Sequence, residues 1–207
     1  MTDKVNTSIK TTVAKLDEDR FRNKDKSDRA TIENCLDPRT MEVINKMIAN
    51  EKIIDMYGCI SAGKEANVYL ANGSMDLNTR EMFPANEETG ELPVKEYAMK
   101  VFKTSILIFK DRERYVSGEF RFRRGQCKGN PRKMVKLWAE KEVRNLKRIA
   151  ITEGLIKVPI PYIFKNNVIV MDFIGEKGNA APRLRDADVA DWANAYEQTV
   201  LIVRRMY

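Results

Sequence analysis

The stretch "YGCISAGKEANVYLANG", from Tyr57 to Gly73, holds the first residues whose spacing could do chemistry. Gly58 to Lys64 spells G-x-x-x-x-G-K, the skeleton of a loop whose backbone N–H groups cradle phosphate. That motif next needs a Ser or Thr hydroxyl for Mg²⁺, and this chain has Glu65, whose carboxylate repels phosphate. Such a loop also joins a strand to a helix, whereas "ANVYLA" reads as strand. The match is therefore read as accidental.

A second phosphate-covering design is the G-x-G-x-x-G-x-V hairpin of protein kinases, which joins two strands. Setting its valine on Val68 gives Ser61-x-Gly63-x-x-Ala66-x-Val68. One glycine of three survives, and small residues replace the others, so the backbone can still approach a phosphate. An ordinary surface hairpin accounts for these residues equally well. Further on, "EYAMKVF" places Lys100 last in an A-x-K trio, as in the V-A-I-K strand. Alternation puts Ala98, Lys100 and Phe102 on one face and Tyr97, Met99 and Val101 on the other. A lysine between apolar neighbours is costly to bury unless paired, although a solvent-facing edge lysine needs no partner. Glu142, in the next helix, is the first candidate partner and Glu140 the second.

These residues need elements to hold them. Residues 1–31 are polar and charged, and read as a disordered tail. Asp37-Pro38 predicts a helix start, with Met41, Ile44, Met47 and Ile48 on one face and an end near Asn50. "KIIDMYGCI", "EANVYLA" and "EYAMKVF" read as three strands, the last two joined by a long turn-rich connection. Residues 103–130 are expected to form a mobile basic loop. "PRKMVKLWAEKEVRNLKRI" predicts a long helix, with Val135, Trp138, Val143, Leu146 and Ile149 apolar. "PYIFKNNVIVMDFIG" predicts two strands turning at Asn166-Asn167. A last helix is expected from near Asp186, with Val189, Trp192, Ala193, Tyr196, Val200 and Val203 on one stripe. The fold class is α+β: a five-stranded antiparallel sheet with one long helix after the third strand, as in a protein-kinase N-lobe, preceded by an extra helix.

The 207 residues carry a net charge of +7. From Lys110 to Arg148 there are 14 Lys/Arg against 5 Asp/Glu, so the basic character belongs to one region. Tyr115, Phe120, Phe122 and Trp138 lie among those charges, a pattern that suits RNA. Arg121, Arg123, Arg124, Lys128, Arg132 and Lys133 are the candidate phosphate contacts. Three separated cysteines and no histidine argue against a zinc site and suit a reducing compartment. Neither a signal peptide nor a membrane span is visible, so a soluble intracellular protein is expected.

"SAGKEANVY", "AMKVFKTSILIFKDRERYVSGEFRFRRGQCKGNPRKMVKLWAEKEVRNLKRI" and "VIVMDFIG" resemble the RIO family of atypical serine/threonine protein kinases, the Rio-one subgroup in particular. The resemblance covers roughly residues 32–207. It implies a kinase N-lobe with its ATP-binding hairpin over 32–174, then hinge exit and first C-lobe helix over 175–207. It implies ATP and Mg²⁺ as cofactors, phosphotransfer to Ser/Thr or ATP hydrolysis, and work on the pre-40S particle and its rRNA, in the cytoplasm and also the nucleus. By position, Ser61, Ala62, Gly63 and Lys64 would face the phosphates and Val68 the adenine. Lys100 would contact the α/β-phosphates with Glu142 as partner, Met171 would be the gatekeeper, and Asp172 and Ile174 would offer hinge backbone groups. The family's catalytic loop H-x-D-L-S-E-x-N and metal-binding D-V-S-Q have no counterpart in these residues, so this chain alone is expected to be inactive, with the metal ligands outside it. A basic RNA- or pre-ribosome-binding module and a pseudokinase are the competing readings.

Overall fold

Asp37 and Pro38 open the first helix in the expected way. The Asp37 carboxylate accepts the Thr40 N–H at 2.9 Å, and Pro38 occupies the first turn, where no N–H is needed. The structure is a computed structural model that describes residues 35–79, 81–84, 93–104, 130–152 and 156–207. The expected tail over 1–31 and nearly all of the expected 103–130 loop lie outside those residues.

Helix α1 (Pro38–Ala49) is followed by strands β1 (Asp55–Ala62) and β2 (Ala66–Gly73), a short ribbon of β3 (Met75–Asp76) and β4 (Glu81–Met82), and strand β5 (Lys95–Phe102). Then come helix α2 (Pro131–Ala150), strands β6 (Pro161–Lys165) and β7 (Val168–Asp172), a ribbon of β8 (Gly175–Glu176) and β9 (Asn179–Ala180), and helix α3 (Trp192–Met206). Five strands make one antiparallel sheet in the order β1-β2-β5-β7-β6. The architecture is α+β, with five antiparallel strands and a long helix between the third and fourth.

The pleat of β5 divides the molecule. Tyr97, Met99 and Val101 face α1 and pack with Ile44, Met47, Ile53, Val168 and Val170. Each is fully buried, worth about 1.5–3 kcal/mol apiece. Ala98, Lys100 and Phe102 face α2, where Phe102 and Ile169 pack against Val135, Ala139 and Val143. Asn166 turns β6 into β7 at φ 54°, the conformation its position called for.

Two expectations need correction. The first strand begins at Asp55, not Lys52: Glu51 takes φ 56° and the Lys52 N–H donates to the Met47 carbonyl, so these residues close α1 instead. The last helix begins at Trp192, capped by Asp191, whose carboxylate accepts the Asn194 N–H at 3.0 Å. Asp186 cannot serve as that cap, because Arg183 and Arg185 hold its carboxylate at 2.7 and 3.1 Å. The two ribbons also went unforeseen. In the second, Lys177 and Gly178 both have positive φ (50° and 79°), which makes a tight hairpin turn.

Asp37 does more than cap α1. Its carboxylate also accepts the Thr104 hydroxyl at 2.6 Å and Arg132 Nη1 at 3.2 Å. Arg132 Nη2 approaches it at 3.0 Å, an ion-pair contact off the N–H line. One buried carboxylate thus joins the start of α1, the end of β5 and the start of α2. Burial alone would raise its pKa, but the Thr104 and Thr40 hydrogen bonds and the Arg132 charge outweigh burial and hold it below the ordinary carboxylate range. Asp37→Ala is expected to cost about 3 kcal/mol, because it leaves Arg132 unpaired and α1 uncapped. The deficit should be full at neutral pH and shrink as pH falls below the unfolded value of about 3.9 toward the lower native value, where the folded carboxylate is protonated in its turn. Urea unfolding of both proteins across pH 7 to 3 checks this; a pH-independent difference would mean the charge contributes nothing.

Candidate functional site

The site begins with a row across the sheet. Ser61 pairs with Val68, Val68 with Lys100, and Lys100 with Ile169. The next row toward β8 is Leu70, Ala98 and Met171. Strand alternation places Val68, Leu70, Ala98, Lys100 and Met171 on the α2 side.

Lys100 meets Glu142 of α2 through both carboxylate oxygens, with Nζ at 2.6 Å from Oε1 and 2.8 Å from Oε2. Between the two glutamates, the geometry selects Glu142. The side chains keep 24% and 32% of their exposure, so the pair is desolvated on one side and open on the other. An ammonium has three donors, and Glu142 takes two. The third remains for an anion arriving from the open side. Lys100 Nζ also lies 4.9 Å from the Phe102 ring centroid, a cation–π contact that the sequence reading left out.

Above this row the β1–β2 hairpin turns at Gly63, whose N–H donates to the Ala66 carbonyl at 2.9 Å. A Cβ at Gly63 would lie 3.0 Å from that carbonyl, so a side chain there requires the carbonyl to shift by a few tenths of an ångström. Ser61, Ala62, Gly63 and Lys64 are exposed. Gly58 sits inside β1, so the G-x-x-x-x-G-K string spans a strand and a turn that leads into β2, and makes no strand-to-helix loop. Between hairpin and α2 lies a cavity of about 250 Å³, lined by Glu65, Phe102, Trp138, Glu142, Leu146 and Ile149. Leu146 and Ile149 were expected on the packed face of α2. They stay half-exposed because the sheet ends short of them, and they line this cavity instead.

Met171 faces the same side as Lys100 and packs against the α2 core. Asp172 turns the other way. Its carboxylate accepts the Ile160 N–H at 2.9 Å and the Tyr162 hydroxyl, and its own N–H donates to the Ile160 carbonyl at 3.1 Å. The Asp172 side chain is therefore a lock on β6. Ile174 is 60% exposed, and its carbonyl already accepts the Ala181 N–H at 2.9 Å. Its N–H donates to no described partner and is the Ile174 backbone group most open to a ligand among the described residues.

Of the basic candidates, Arg121, Arg123, Arg124 and Lys128 lie outside the described residues. Arg132 is held against Asp37, while Lys133 is exposed at the start of α2.

A family model described as "RIO domain" matches residues 81–207. The chain belongs to the RIO-domain family. It is 53% identical over 171 residues to the serine/threonine-protein kinase RIO1 of Saccharomyces cerevisiae, covering 79% of this chain and 34% of that protein. It is 48% identical over 191 residues to RIO1 of Homo sapiens, covering 91% of this chain and 30% of that protein. The human kinase RIO3 is 35% identical over 185 residues, covering 88% and 34%. A crystal structure of the Rio2 kinase–ADP/Mg²⁺-phosphoaspartate complex from Chaetomium thermophilum aligns at TM-score 0.48 and 21% identity, covering 78% of this chain and 39% of that one. The chain thus spans about a third of the length of the curated RIO relatives it matches.

Within this RIO chain, Tyr162 sets how firmly β6 holds the end of β7. Burial raises the phenol pKa first, and the Asp172 carboxylate, which needs the phenolic proton, raises it further. A raised phenol pKa adds stability below the ordinary tyrosine value near 10 and loses it as pH climbs through the higher native value. Tyr162→Phe should therefore cost about 1 kcal/mol at neutral pH and lose less stability than the parent above pH about 10. Thermal melts at both pH values, with tyrosinate absorbance as a second readout, check this. Equal alkaline losses would remove Tyr162 from the account.

Proposed function

We propose that this chain is the ATP-binding portion of a RIO-type serine/threonine protein kinase or ATPase that acts in maturation of the small ribosomal subunit. The observation that carries the nucleotide part is the Lys100–Glu142 pair, open on one side beneath the Gly63 turn. It supplies a fixed cation where the α/β-phosphates of a nucleotide under the hairpin would lie. The curated relatives named serine/threonine-protein kinases support the reaction class. The ribosomal role, and a cytoplasmic and also nuclear location, rest on the family resemblance alone.

The fit to ATP can be argued residue by residue. The backbone of Ser61 to Lys64 is exposed, and the tight turn at Gly63 leaves room for phosphate oxygens. Val68, Leu70, Ala98 and Met171 offer an apolar surface for a base beside Lys100. The Ile174 N–H can meet the base edge. ATP supplies the transferable γ-phosphoryl group; these residues bind, orient and neutralise. Mg²⁺ fits less well: among the described residues no three His, Cys, Asp or Glu gather, and no step is assigned through a metal. The exposed stripe of Trp192, Tyr196, Val200 and Val203 on α3 fits a lobe that continues in the longer relatives.

Fluorescent-nucleotide titration is the direct test. Lys100→Ala should weaken binding roughly tenfold or more, Glu142→Gln by less, and Glu140→Gln not at all. In a chain extended through the catalytic-loop and metal motifs, turnover at saturating ATP should fall in the same order. The 207 residues alone should transfer no phosphate to themselves or to a generic substrate, since positioning and charge neutralisation are both missing. If Glu140→Gln is the damaging change, the assigned pair is not the functional one.

The basic region favours a second, compatible reading, a contact with ribosomal RNA. Its 14 Lys/Arg against 5 acids make a counterion-releasing surface. Replacing Arg121, Arg123 and Arg124 by Ala should flatten the slope of log K against log salt by about 2–3 units for an rRNA fragment. An unchanged slope would place any RNA contact elsewhere.

A further inference from the structure

At the start of α2, ten residues before Glu142, four cations converge on one small cavity. It measures about 280 Å³ and is lined by Arg39 from α1, Arg132, Lys133 and Lys136 from α2, with Thr104 and Asn167 among its polar residues. Arg39, Lys133 and Lys136 are exposed and make no salt bridge among the described residues. Glu42, one turn along α1 and itself bridged to Lys46, is the carboxylate that senses Arg39. Arg132 is different in kind. Asp37, 5% exposed, fixes its guanidinium, and its Nη2 is a buried donor without a linear hydrogen-bond acceptor. Four cations against one buried carboxylate leave a strong positive excess around one small cavity.

The cavity does not stand alone. It shares Arg39 and Asn166 with a second groove of about 470 Å³ between α1 and β6. Val43, Met47, Ile163 and Phe164 give that groove an apolar part, and Glu42, Lys46, Lys52 and Lys165 line it as well. A basic pocket continuous with a partly apolar groove suits a ligand that carries an anionic group beside an apolar one.

We propose that this surface binds a phosphoserine- or phosphothreonine-containing peptide segment, with the phosphomonoester in the Arg39–Arg132–Lys133–Lys136 pocket and a flanking apolar side chain in the α1–β6 groove. A phosphomonoester carries nearly two negative charges and three acceptor oxygens on one centre, which suits several cations converging on one point. A nucleic-acid backbone carries one charge per phosphate and continues on both sides, so it needs a track of cations and has no apolar side chain for the groove. The site is separate from Lys100 and Glu142, so it stands or falls independently of nucleotide binding.

Fluorescence anisotropy tests the proposal on the intact 207-residue chain. The probes are a short labelled peptide with phosphoserine flanked by leucines, its unphosphorylated twin, and an oligouridylate of similar length. The phosphopeptide should bind roughly tenfold or more tightly than its twin and more tightly than the RNA. Lys133→Glu with Lys136→Glu should abolish that preference and leave fluorescent-nucleotide binding unchanged. Acids in the first turns of α2 favour the helix dipole, so this variant is expected to fold, and a thermal melt verifies it. Lys157→Glu, which lines neither cavity, controls for net charge. Val43→Asp should weaken the phosphopeptide and spare inorganic phosphate; because Val43 packs beneath the groove, Ile163→Ser is the milder companion change. Equal binding of the two peptides, a loss of RNA binding in the Lys133→Glu, Lys136→Glu variant as large as its loss of phosphopeptide binding, or an equal loss in Lys157→Glu would each overturn the proposal.

Discussion

The pleat of one strand organises this molecule. β5 is the middle of five strands, and neither of its faces meets water freely. Tyr97, Met99 and Val101 must be apolar because they complete the core beneath α1. The even-numbered residues of β5 then face α2, and one of them is Lys100. A charge in that row is tolerated only if a partner arrives from α2, because an unpaired ammonium there costs several kcal/mol. The Glu142 carboxylate, 42 residues away in the chain, is that partner. A shift of β5 by one residue would put Lys100 into the α1 core and Met99 or Val101 beside Glu142, so register and charge placement enforce each other.

Those constraints explain what the sequence could reveal. Alternation in "EYAMKVF" named both faces of β5 correctly, because period two is local information. The cap of α1 was readable, because Asp37-Pro38 carries its signal within four residues; for α2 the sequence marked Pro131, and the Asn130 cap emerged only in the fold. Asn166 turned out in the left-handed region that an Asn-Asn pair allows. Spacing alone could not choose between Glu140 and Glu142, since two residues apart on a helix point about 200° from each other and either could have faced the sheet. Family resemblance favoured Glu142, and the distances agree.

What stayed illegible was long-range or too short to have a period. The β3–β4 and β8–β9 ribbons have two residues per strand, which is no pattern at all. The start of α3 was misplaced because Asp186 and Asp191 are equally good caps on paper; only Arg183 and Arg185, which occupy Asp186, decide between them. Arg132 read as one more cation in a basic run. Its attachment to Asp37, across 95 residues, is a property of the folded chain. The same holds for Asp172, which looked out of place at the end of an apolar strand until Tyr162 and the Ile160 N–H accounted for its oxygens.

Helix α2 therefore has two electrostatic anchors, Arg132 on Asp37 near its start and Glu142 on Lys100 past its middle. Ten residues separate them, which at about 100° per residue leaves the two side chains roughly 80° apart around the axis. Val135, Ala139 and Val143 pack in and beside that sector, so both ion pairs and the apolar contacts hold one rotational setting of the helix.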